Sequence, residues 1–146
     1  MSKLIPLISS GIAGPLGVLH LPRLWQKVSL ANVGKLADGY PAIGAGYDQM
    51  VLDGLGLERG AFEAFMNEKK PSYPQLEAWV LEQKGGSLDQ AGVKALNDSI
   101  VGYNHADDTR KAILGGCGIA DDGSILDAVN LNNLEDWQDF HAAEIA

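Results

Sequence analysis

The chain of 146 residues holds one cysteine, Cys117, so no intrachain disulfide can form. That suits a reducing compartment. The opening Met1-Ser2-Lys3 and Leu4-Ile5-Pro6-Leu7-Ile8 have the outline of an export signal. The apolar run is short and Pro6 interrupts it, so a cytoplasmic protein is expected. No apolar run approaches the roughly 20 residues that span a bilayer, and no membrane partner is expected. Cations are scarce: 11 Lys and Arg stand against 19 Asp and Glu, a net charge of −8. Lys3, Lys69, Lys70 and Lys84 are scattered and form no basic stripe. Such a surface repels phosphate backbones and anionic lipid, so nucleic acid is not expected as a partner.

Other signatures are missing. The 18 glycines include no phosphate loop ending in Gly-Lys-Ser/Thr, and no Gly-x-Gly-x-x-Gly follows a strand. There is no Gly-x-Ser-x-Gly elbow around a nucleophile. His20, His105 and His141 lack zinc-ligand spacing. No metal and no cofactor are expected. Strict alternation over strand length is also absent, and only 124–131 leaves room for a short strand.

What remains is helical periodicity broken by glycine and proline. Residues 1–19 carry Gly11, Gly14, Pro15 and Gly17, which forbid a regular helix. They are also too apolar for a loose tail, so an irregular arm packed on the body is expected. A first helix opens at Pro22, buries Leu24, Trp25, Val28 and Ala31, and stops at Gly34. Residues 35–46 read as a Gly-rich loop. Further helices are expected over Asp48 to about Leu55, about Arg59 to Lys69, and from Ser72-Tyr73-Pro74 to Gly85-Gly86. A fifth begins after Ser87 or Asp89, and a sixth starts near Asp107-Asp108 and stops at Gly115-Gly116. The last is capped by Asn132 or Asn133 and bears Leu134, Trp137, Phe140 and His141. The expected fold is all-α: one domain over 1–146 with about seven short helices. Trp25, Phe62, Phe65, Trp79, Leu96, Ile100 and Trp137 are the expected core.

The densest chemistry lies between His20 and Leu57. Arg23 and Lys27 are four apart and share a helix face, a pairing suited to a carboxylate or phosphate ligand. Asp48 opens the next helix, with Tyr40 and Tyr47 in and after the Gly-rich loop. In a binding site, Arg23, Lys27, Tyr40 and Tyr47 would hold a small polar or anionic molecule. Asp48, His20 or the more distant His141 would act as general base. The plainer alternative is that Arg23 and Lys27 pair with internal carboxylates such as Asp48 or Asp53. A homodimer is the matching non-catalytic reading, since the large apolar residues on short helices exceed what a small core readily buries. Trp137, Phe140 and His141 share a face that either lines a pocket or docks on the core. His105, Asp107 and Asp108 could ligate a metal with His141, but the two aspartates fit a helix cap better.

Leu21-Pro22-Arg23, Lys27, Gly34-Lys35-Leu36, Tyr47-Asp48-Gln49, Leu52 and Gly56 resemble the bacterial family known as domain of unknown function 5069. The resemblance is clearest over 20–80, where it takes in Leu76 to Val80 with Trp79. The ending from Leu134-Glu135-Asp136-Trp137 to His141 is similar to that of longer members. It implies a small, mainly helical domain and transfers no activity. The Tyr40 to Gly46 loop departs from the family pattern.

Overall fold

In the computed structural model, which describes residues 2–146, the chain folds into seven α-helices. They are α1 (Leu21–Asn32), α2 (Tyr47–Leu55), α3 (Arg59–Lys69), α4 (Tyr73–Gln83), α5 (Gln90–Val101), α6 (Asp107–Cys117) and α7 (Ala128–Glu144). No sheet forms among the described residues; pairing is limited to isolated bridges such as Leu4 with Leu36. The all-α expectation holds. No helix of the described residues is long and apolar enough to cross a membrane.

Local chemistry sets several helix ends. Ser72 and Gln75 form a reciprocal capping box at the start of α4. Asp89 accepts from the Ala91 amide, and Asp127 from the Asn130 amide. Such caps are each worth about 1 kcal/mol. Gly56 and Gly118 close α2 and α6 in the left-handed conformation that glycine adopts without a Cβ penalty.

α1 runs through the middle and packs on α2, α3 and α4, while α2 lies on α5 and α6 pairs with α7. Val18, Leu21, Leu24, Val51, Leu52, Phe62, Leu76, Val80 and Ile100 are fully buried in one cluster. Each large side chain removed from water in this way contributes about 1.5–3 kcal/mol. Ile113, Leu114 and Leu131 form a smaller cluster under the α6–α7 pair. Gly54 lies inside α2. A Cβ there would stand 2.7 Å from Leu96 Cδ1, so its absence lets α2 and α5 approach.

The arm is irregular and tied down, as its composition suggests. Pro6, Ser10 and Val18 are buried. Asn97 clamps its end, accepting from the Leu19 amide at 3.0 Å and donating to the Gly17 carbonyl at 2.7 Å.

Several expectations need correction. The last helix starts at Ala128 behind Asp127, not at Asn132 or Asn133. Ala128 and Leu131 extend the apolar spacing of Leu134 backwards, and the same residues remove the proposed strand. Asp107 and Asp108 lie in the first turn of α6 without capping it; Asp107 instead pairs with Arg110 at 2.7 Å. Gly115 and Gly116 sit within α6. Phe62, Leu96 and Ile100 are buried, and Trp25, Phe65 and Trp79 are half-buried against the core. Trp137 is 56% exposed, because α7 turns its opposite face inward through Leu131 and Asp136.

Candidate functional site

His20, at the N-cap of α1, and Arg23 and Lys27, four apart on one face of it, are all buried. Burial of charge demands partners. Lys27 Nζ donates to Asp48 Oδ2 at 2.5 Å, and the Gly44 amide donates to the same oxygen at 2.7 Å. The other oxygen, Oδ1, lies 2.6 Å from His20 Nε2. Asp48 is 3% exposed and sits in the first turn of α2, whose free amides and positive end favour an anion. Burial alone would raise its carboxyl. The His20 hydrogen bond and the charge of Lys27 outweigh that and hold it at about 2.

His20 caps α1 in the left-handed conformation, with φ 71°, which is uncommon for a residue with a side chain. Burial lowers its pKa, against the pull of Asp48. The neutral ring then has one consistent tautomer. Nε2–H donates to the ionised Asp48, and Nδ1 accepts from the Ser10 hydroxyl at 2.8 Å. Ser10, His20 and Asp48 are the residue types of a nucleophile relay. However, Ser10 is 1% exposed and lies off the adjoining cleft, so no substrate carbonyl can reach its Oγ.

Arg23 has a different carboxylate. Its guanidinium grips Asp136 of α7 in two bonds, Nη1 to Oδ2 at 2.6 Å and Nη2 to Oδ1 at 3.1 Å. Nη1 also donates to the carbonyls of Pro6 and Ile8, which fastens the arm. Burial raises the Asp136 carboxyl although Arg23 pulls it down. Tyr40 donates to Asp139 at 2.8 Å and to Asp136 at 3.2 Å, and Tyr47 donates to the Ile100 carbonyl at 2.6 Å. Burial raises both phenols above their ordinary value.

Beside these groups opens a cleft of about 210 Å³ lined by the 39–48 loop and helix start, α1, the 103–105 segment and α7. His20, Arg23, Lys27, Tyr40, Tyr47 and Asp48 all reach it, so the fold gathers six of the seven residues singled out from sequence. The seventh, His141, is exposed near the end of α7 and outside the cleft. The roles assigned to the six change. Both oxygens of Asp48 and both ring nitrogens of His20 are already bonded within the protein. The phenol hydrogens of Tyr40 and Tyr47 are committed within the protein. Lys27 and Arg23 are neutralised by Asp48 and Asp136, the plainer of the two alternatives for this pair. Lys27 keeps ammonium hydrogens without a protein acceptor, since Asp48 is its one hydrogen-bond partner among the described residues.

Glu135, Asn132, His105 and Tyr103 complete the lining and were not assigned to this site from sequence. His105 Nε2 bonds Asn132 Oδ1 at 2.7 Å. Glu135 is half-buried and makes no hydrogen bond or ion pair among the described residues. Burial, then the charges of Asp139 and Asp136, raise its carboxyl. The only sequence signal for it was its helical phase beside Asp136. His105, Asp107, Asp108 and His141 do not converge, and no three His, Cys, Asp or Glu side chains gather as metal ligands among the described residues.

A larger groove of about 480 Å³ runs past Asn32, Ala42, Arg59 and Glu63, but its two charges pair with each other at 2.6 Å.

The chain matches no family model and no curated protein, so the site itself carries the functional argument.

Proposed function

We propose that this is a cytoplasmic protein that binds a small polar metabolite in the cleft between α1, the Gly-rich loop and α7. One observation carries the reading. The cleft has a built polar wall whose inner charges are locked in pairs, while Glu135 on the same wall has no partner. Locked pairs preorganise a site, and an unpaired half-buried carboxylate is a group that a ligand can satisfy. Tyrosine rings, a histidine and an amide beside it supply the mix of apolar surface and convergent polar groups found in small-molecule pockets. Binding rather than chemistry is the better-supported half of the reading, because the candidate bases are engaged. The occupied cations also leave no surplus positive charge for an anion. Amide spectra of isotope-labelled protein, titrated with a panel of small polar metabolites, test it. A ligand should shift Gly39, Gly44, Gly46, Tyr103 and Asn132 together. A panel that moves none of them counts against the site.

A homodimer is the second reading. It is favoured by Leu4, Leu7 and Phe140, exposed around a groove of about 530 Å³ between the arm and α7. Sedimentation across a concentration series reads it directly.

A further inference from the structure

We infer that the ligand of the cleft is a small organic ammonium ion, bound by the Glu135 carboxylate against tyrosine ring faces. The inference rests on the reading of the cleft as a small-molecule site and names the class of molecule.

The two cations on the wall, Arg23 and Lys27, are each held by a buried carboxylate. Glu135 is left over; burial and the charges of Asp139 and Asp136 raise its carboxyl, against a smaller pull from His105 and Arg23. An incoming anion meets the unpaired Glu135 carboxylate in the lining and finds both cations of the wall already paired. An incoming cation meets an unpaired acceptor and relieves the crowding of like charges.

The aromatic lining points the same way. Tyr40, Tyr47 and Tyr103 all border the cleft. Tyr47 and Tyr103 stand 5.5 Å apart between ring centroids, tilted by 59°. The hydroxyls of Tyr40 and Tyr47 are turned to Asp139 and to the Ile100 carbonyl. What the tyrosines leave for a ligand is aromatic surface rather than a phenol donor, and a ring face attracts a cation or its polarised methylene groups. A primary ammonium gains both a charge-assisted hydrogen bond to Glu135 and the ring contact. A quaternary ammonium keeps the second alone.

The probes are n-butylamine, choline, n-butanol and butyrate, titrated into the full chain at low ionic strength and about pH 7.5, where the amine is charged. Amide shifts in the cleft report binding. Butylamine should bind about tenfold or more tighter than butanol, and butyrate most weakly. Glu135→Gln should abolish that preference for butylamine over butanol without lowering the thermal midpoint, since the Glu135 side chain bonds nothing in the fold and its charge is disfavoured there. Tyr103→Leu should weaken choline and butylamine alike. If butyrate or butanol binds as well as butylamine, or if Glu135→Gln keeps the preference, the ammonium assignment is wrong and the small-molecule reading survives. If none of the four shifts the cleft and the metabolite panel also fails, both fall. The comparison of butylamine with butanol needs no variant, so it decides even if Glu135→Gln does not fold.

Discussion

Replacing Asp48 by Asn tests the central tie of the structure. Asp48 is 3% exposed and takes hydrogen bonds from Lys27, His20 and the Gly44 amide. An amide of the same size keeps one acceptor oxygen and turns an NH2 group toward donors. Lys27, 6% exposed, then loses its carboxylate and stays in a low-dielectric site. Removing one partner of a buried pair costs about 3–5 kcal/mol, most of it the stranded charge. The fall of the carboxyl from 3.8 to about 2 gives a lower figure, on the order of 2 kcal/mol. It is lower because it compares the ionised carboxylate with its own protonated form, which can still accept, and it already contains the burial penalty. For a chain of this length the larger figure corresponds to a fall in Tm of roughly 6–20 °C. Urea denaturation gives the free energy, and an unchanged slope shows that the unfolded state is not the cause. Adding Lys27→Met to Asp48→Asn should recover a large part of the loss, because the stranded ammonium is gone. A loss below about 1 kcal/mol for Asp48→Asn, or a double variant as weak as the sum of the two, would refute the buried-pair argument.

On acidification His20 and Asp48 should each contribute a loss of stability, partly offset by the raised carboxyls of Asp136 and Glu135, which take up protons more readily in the folded state. The unfolded His20 takes a proton below its ordinary 6.5 while the folded ring, with its lowered pKa, resists it, so the loss starts near 6.5. The Asp48 contribution is present above 3.8 and is lost as pH falls toward about 2. His20→Gln should remove the first of these losses in a pH series of melting curves, and its persistence would assign that loss elsewhere. Arg23→Lys keeps the charge but not the fork to Asp136 or the bonds to the Pro6 and Ile8 carbonyls, so it should cost about 2–3 kcal/mol and speed proteolysis within 1–19. Equal cleavage rates would show that the arm is held by its apolar contacts. Phe62→Ala should cost about 3–5 kcal/mol in urea, and Trp137→Ala within about 0.5 kcal/mol of zero. Reversal of that order would place α7 differently on the body. Gly54→Ala gains helix propensity but drives a methyl into Leu96, so it should lower stability by about 1–2 kcal/mol, whereas a gain would mean Leu96 moves aside freely.

The helices were legible because their signals are local. Pro22 near the start of α1, the Ser72 cap of α4 and apolar residues three and four apart act within a turn or two of themselves. The same locality gathered Arg23 and Lys27 on one face with His20 at the helix start, and a loop long enough to return the chain brought Asp48 to them. At the last helix the expected caps were Asn132 or Asn133, and the Asp127 cap went unread because it depends on Ala128 and Leu131 being buried by the rest of the fold. The partners of the buried charges lie beyond any local rule. Arg23 and Asp136 are separated by 113 positions, and which of several carboxylates reaches the guanidinium depends on where α7 lands. The exposure of Trp137 follows from the same placement, since a helix with polar and apolar residues all round can bury either side. Sequence alone therefore determined which residues form helices and which polar groups cluster on α1. Only the tertiary structure decided that those groups neutralise each other and that Glu135 is the one left facing the cleft, because pairing of buried charge is a property of distances between elements, not of order along the chain.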